Sequence, residues 1–290
     1  MTAIETLLHG LIDYAGLFPP ASLDMKTAVS HYAEYRNGEN SEMLGRFILP
    51  VQRLTEFTAA FYEVCCDETA APWLLNVLAS SDSAEDAERI SKFSEGAAYL
   101  DAIEYQAANA EDAQQKLKSV PKGMIAYVEF APEQCEEILP VLKKYDARAK
   151  IRTGGVTEGA IPSIERVAQF LECCAQSQIA CKATAGLHHP IRSEQKLTYE
   201  EGSQSAMMHG FINVFVAATV AYKGAPLKDI VDVLLETKPD VFQWGKDALR
   251  WRNIEISTKQ IRDVRDNFAI SFGSCSFVEP IQYLKALGWL

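Results

Sequence analysis

The chain has no Cys-x-x-Cys spacing, although it carries seven cysteines. An odd number that includes the adjacent pairs Cys65/Cys66 and Cys173/Cys174 suits neither a zinc or redox motif nor a disulfide framework, and reads as free thiols in a reducing cytoplasm. Basic residues are not in excess. The formal net charge is -11, which argues against nucleic acid and against an anionic membrane as the main partner. Long hydrophobic runs are missing too: the longest, Phe211 to Tyr222, is too short to span a bilayer and contains Asn213 and Thr219. The segment Met1 to Thr6 has no basic stretch leading into an apolar one, which speaks against a secretory signal. A dinucleotide fingerprint and a P-loop are both absent, so no cofactor is expected. No His-x-x-x-His spacing supports a metal site, and none is expected.

What is present is a core-forming composition, 48% hydrophobic with 10% aromatic residues, arranged in a repeated rhythm. Short apolar β-prone runs alternate with stretches at helical spacing, beginning with an expected strand at Leu11 to Phe18 and continuing to strand-like runs six and seven, Ala149 to Gly155 and Ile179 to Pro190. After Pro190 the rhythm stops, and an eighth strand appears only at Phe268 to Ser274. Strands alternating with helices imply a parallel sheet, and eight strands close a barrel. The expectation is therefore an α/β fold, a (β/α)8 TIM barrel occupying residues 1–290 as one domain. Residues 190–267 are expected as a helical insertion, or cap, between strands seven and eight. An apolar insertion of this kind would support a homo-oligomer.

Alternation separates the two faces of each strand. Ala149 and Ile151 belong against the helices, since pressing Lys150 and Arg152 into an apolar layer costs several kcal/mol, so both cations point into the barrel. The same reasoning turns Asn76, Glu104, Glu129, Lys182, Thr184, Ser271 and Gly273 inward. They gather near the carboxyl ends of the strands, where such barrels keep their chemistry. Three cations, Lys150, Arg152 and Lys182, face two carboxylates, which suits a small anionic substrate. At about 6 Å and an effective dielectric near 20, a second cation imposes roughly 2.8 kcal/mol on a lysine and lowers its pKa. A lysine made partly neutral is a nucleophile towards carbonyls, giving a Schiff base.

Lys150-Ile151-Arg152-Thr153-Gly154 resembles the Lys-Thr-Ser-Thr-Gly run on the sixth strand of deoxyribose-phosphate aldolases. Lys182-Ala183-Thr184-Ala185-Gly186 is similar to the Lys-Pro-Ala-Gly-Gly run on their seventh strand. The resemblance implies a class I aldolase barrel in which Lys150 forms the Schiff base, Lys182 perturbs it and a fourth-strand carboxylate, Glu104, with Asp101 in the same strand, moves protons. The chain departs from that family at Arg152, at the carboxylate and in the insertion.

Around this lumen, Thr153, Gly154 and Gly155 after strand six, and Gly273 and Ser274 after strand eight, offer backbone N–H groups for a phosphate or carboxylate. His188 and His189 point in opposite directions in an extended segment and are candidates for substrate contact or acid/base work. His209 and Asn213, four apart on an expected helix, share a face that would cover the pocket. Cys275 is a nucleophile candidate with no base assigned to it. The function expected is aldolase- or lyase-type carbonyl chemistry through a lysine Schiff base. The alternatives are a non-covalent isomerase or decarboxylase, and a small-anion-binding barrel without turnover.

Overall fold

A computed structural model describes residues 1–64, 72–93, 96 and 98–290, with Ser83 described by its backbone alone. The Cys65/Cys66 pair lies outside the described residues. Eight parallel strands close a barrel: β1 (Ile12–Tyr14), β2 (Leu44–Pro50), β3 (Trp73–Leu78), β4 (Ala98–Gln106), β5 (Ile125–Glu129), β6 (Arg148–Arg152), β7 (Cys181–Thr184) and, after five short strands outside the barrel, β13 (Ala269–Ser274). The last strand lies between β7 and β1 and shuts the ring.

Helices between consecutive strands bury the outward residues. Phe272 of β13 stacks on Phe211 at 5.3 Å between ring centres, with Phe215 alongside at 6.0 Å. Ser271 and Gly273 are left on the lumen side, as the alternation requires. The first strand is shorter than the apolar run around it, because the chain turns at Ala15 to Ser22 before the next helix, Met25–Arg36. The β3–β4 register slips by one residue at Asp101, so Asp101 and Glu104, an odd number of residues apart, both reach lumen partners. Asp101 pairs with Arg46, both partly exposed, nearer the amino ends of the strands, and Glu104 takes both buried lysines nearer the mouth.

The insertion is not the helical cap expected. It opens with an antiparallel hairpin, β8 (Ser193–Lys196) and β9 (Ser205–Met208), continues with helices Phe211–Tyr222 and Leu227–Leu235, forms an antiparallel sheet of β10 (Phe242–Trp244), β11 (Ala248–Trp251) and β12 (Ile254–Ser257), and ends with helix Thr258–Asn267. Helix Phe211–Tyr222 is apolar all round and buried along nearly its whole length, because it packs between the barrel wall and a second helix outside it. Its apolar surface is thus consumed within the chain and does not supply an oligomer face. The sheet β10–β12 joins the N-terminal helix Ala3–Leu8, which leads into β1, through Ala3 N–H to Gly245 O at 3.2 Å. Only the hairpin stands at the mouth. Among the described residues no helix is long and apolar enough to cross a membrane.

Candidate active site at the mouth of the barrel

Parallel pairing sets Glu129 beside Lys150 and Lys150 beside Lys182 on successive strands, all facing the lumen. Lys182 has no exposed side-chain surface; its Nζ lies 2.6 Å from Asp13 Oδ2 and 2.7 Å from Glu104 Oε1, over the Tyr127 ring at 5.2 Å. Lys150 Nζ bridges Glu104 Oε2 and, at 2.8 Å, Glu129 Oε2. Arg152 holds the other oxygen of Glu129 at 3.0 Å and is half exposed at the rim. Asn76 donates to Glu104 Oε1 at 2.5 Å, and Ser271 donates to Asp13 Oδ2 at 2.7 Å. One network therefore runs from Arg152 through Glu129, Lys150, Glu104 and Lys182 to Asp13.

Asp13 was not anticipated, and it changes the electrostatics. Three carboxylates now balance the three cations of this network, so the network itself has no positive excess. Repulsion does not lower the Lys182 pKa. Burial does disfavour its charge, but Asp13 and Glu104 outweigh burial and push the pKa above the ordinary lysine range. Burial likewise works against charge on Glu104 and Glu129, yet their cations hold both below the usual carboxylate range. The signal for Asp13 was present in the sequence: it alternates with Ile12 and Tyr14, as Lys150 does with Ala149 and Ile151.

Lys150, not Lys182, meets solvent-accessible space. A cavity of about 370 Å³ at the carboxyl ends of β3 to β6 is lined by Ser80, Glu104, Gln106, Glu129, Lys150 and Arg152. Lys182 does not line it.

The other expected residues separate into groups. Thr153 donates to Ala185 O at 2.7 Å and ties strand six to strand seven. Gly154 lies against Gly186: a Cβ on it would stand 2.8 Å from Gly186 Cα, so these glycines permit two loops to touch. Gly155 faces a second space at the mouth. Thr184 pairs with Gly273, and its Oγ1 would lie 3.1 Å from a Cβ there. Ser274 bonds its own turn through Ser276 O at 2.7 Å.

His209 and Asn213 do not cover the pocket. His209 precedes the helix and bonds Pro162 O at 2.9 Å. Asn213 is wholly buried, accepts from Arg192 N–H at 2.9 Å and donates to Val233 O and Glu236 O, both at 2.8 Å. It locks the start of the hairpin to the first two helices of the insertion.

The adjacent histidines do diverge. His189 packs on Tyr283 at 4.3 Å, and burial together with the neighbouring His188 lowers its pKa to about 4. His188 Nδ1 lies 2.7 Å from Glu279 Oε2 and its Nε2 lies 3.8 Å from Cys275 Sγ. Tyr199, in the hairpin loop, donates to the same Glu279 oxygen at 3.0 Å. Neither Glu279 nor Tyr199 carried a sequence signal, since only the fold brings them to His188.

A solved structure shares this architecture. Described as the unique tetrameric structure of deoxyribose phosphate aldolase from Aeropyrum pernix, it matches with a TM-score of 0.50 over 99% of this chain and 98% of that one, at 9% sequence identity. The barrel is aldolase-like in fold. At that identity the likeness concerns the fold alone, and no protein-family model or curated protein matches the chain.

Proposed function

We propose that the chain is an enzyme of the aldolase or lyase type that acts on a small anionic carbonyl compound through a Schiff base at Lys150. The observation that carries this reading is that Lys150 is the lumen lysine lining the cavity, with a carboxylate on either side and Arg152 at the rim. Attack needs the free amine, so a proton passes from Lys150 to Glu104 or Glu129 as the carbonyl enters. The nitrogen lone pair forms the C–N bond, the carbonyl oxygen leaves as water, and a C=N⁺ bond remains. Cleavage of the carbon–carbon bond β to that carbon sends its electron pair towards nitrogen, and the released fragment gives its hydroxyl proton to a glutamate. Arg152 is the anion holder. Lys182, charged and outside the cavity lining, positions Glu104.

A second reading rests on the ion pairs themselves: both ammonium groups are tied to carboxylates, which favours a non-covalent isomerase or decarboxylase whose cations hold the substrate while Glu129 moves a proton. Borohydride treatment with a panel of aldehydes, ketones and phosphorylated sugars separates the two. A reduced adduct mapped to Lys150, absent in Lys150→Ala, is the expected result. Ligand binding with no adduct across the panel would give the second reading the advantage.

A further inference from the structure

The lysine chemistry leaves His188, Cys275 and Glu279 unused, and these come together from three separate segments. Cys275 directly follows β13, His188 lies in the loop after β7, and Glu279 is in the first turn of helix Val278–Ala286. With Nδ1 against the carboxylate at 2.7 Å, the imidazole presents Nε2 to the thiol at 3.8 Å. Tyr199 bonds Glu279 at 3.0 Å and lies 3.8 Å from the same sulfur. All four line a cavity of about 340 Å³ between the barrel rim and the hairpin, which shares no lining residue with the Lys150 cavity. We propose that Cys275, His188 and Glu279 form a second, thiol-based nucleophilic site that transfers the acyl group of a small ester or thioester.

The chemistry follows from the order of the groups. A nucleophile within reach of a base, and a base oriented by a third group, is the arrangement that nucleophilic acyl transfer needs. Glu279 fixes which imidazole nitrogen faces sulfur, so one nitrogen both receives the thiol proton and returns it. Such two-way traffic serves a reaction with a leaving group. The thiolate attacks the acyl carbon and a C–S bond forms. The C–O or C–S bond to the leaving group then breaks, and His188 gives that group its proton. Water next attacks the thioester with His188 as base, releasing a carboxylic acid and restoring the thiol. The electrostatics of the pair agree: burial opposes charge on His188, but Cys275 and Glu279 push its pKa up to about 9. The cavity lies near the lower end of the roughly 300–1,000 Å³ usual for ligand pockets. Pro19, Pro20, Leu197, Met208 and Tyr283 make much of its wall apolar, which suits a short acyl chain.

The test uses the full-length protein and p-nitrophenyl acetate. The expected result is a burst of p-nitrophenolate up to one equivalent, with an acetyl group mapped to Cys275 and removed by neutral hydroxylamine, as a thioester is and an acetyl-lysine is not. His188→Gln is expected to slow the burst about 100-fold, the scale of a lost general base. Wild-type protein supplies a measurement that no folding defect can blur: iodoacetamide should alkylate Cys275 about tenfold faster at neutral pH than Cys173, although Cys173 is the less buried. Acetyl found only on other residues, a burst unchanged in His188→Gln, or Cys275 reacting no faster than Cys173 would each overturn the proposal. The borohydride experiment reads Lys150 independently, so failure of one site leaves the other standing.

Discussion

Asp13 belongs to a strand of three residues, yet it completes the charge balance of the lysine network. It and Glu104 are the two carboxylates on Lys182, and Glu104 alone touches both lysines. Removing a partner from a buried ion pair leaves an uncompensated charge, which costs far more than the pair itself contributes. Glu104→Gln is therefore expected to lower stability by about 3–5 kcal/mol in urea denaturation, and Asp13→Asn by a comparable amount. A change near zero in both would mean that water reaches Lys182. Lys150, Lys182, Glu104 and Glu129 were legible in the sequence because a charge inside an apolar, alternating strand has few places to go. Asp13 escaped because its strand was read as longer than it is and its alternation was not used.

At the scale of elements, the contact between the loops after β6 and β7 sets the mouth. Gly154→Ala would drive a methyl group into the Gly186 backbone at 2.8 Å, and backbone does not yield as a side-chain tip does. A stability loss of about 1–3 kcal/mol is expected, read as a lower melting temperature. The insertion shows the limit of periodicity. The helix expected over Ser203 to Tyr222 ends where expected but begins only at Phe211, because Ser205–Met208 is a strand, and short strands such as Ala248–Trp251 carry too few residues to tell a strand from a helix turn. Asn213 was expected over the pocket because it lies four residues from His209 on one expected helix face; its partners proved to be three backbone groups distant in sequence. Asn213→Leu is expected to cost about 3 kcal/mol of stability while leaving ligand affinity intact. A weakened affinity with unchanged stability would return Asn213 to the site.

For the molecule as a whole, the networks at the mouth set a window of pH. Glu104 and Glu129 lie below their ordinary 4.5, so their contribution is full above that value and is lost as pH falls beneath it. His188 is raised from 6.5 to about 9, so its contribution is full below 6.5 and is lost as pH rises through 9. Lys182 is raised from 10.5 and yields only above that. His189, lowered from 6.5 to about 4, works the other way and loses its contribution as pH falls below 6.5, so stability is expected to be greatest near pH 6.5, with the first alkaline loss absent in His188→Gln; urea midpoints measured at pH 6 and pH 9.5 read this directly. A midpoint unchanged between the two in wild-type protein would dissociate His188 from Glu279. The sequence alone determined the parallel barrel and the inward lysines and glutamates, because hydrophobic period and the cost of burying charge act locally along each strand. Only the tertiary structure decided that Asp13 pairs with Lys182, that Lys150 rather than Lys182 meets the cavity, and that Glu279 and Tyr199 complete the surroundings of Cys275 and His188. Each of those depends on groups far apart in the chain, whose meeting is set by barrel closure and loop packing and leaves no period or spacing to read.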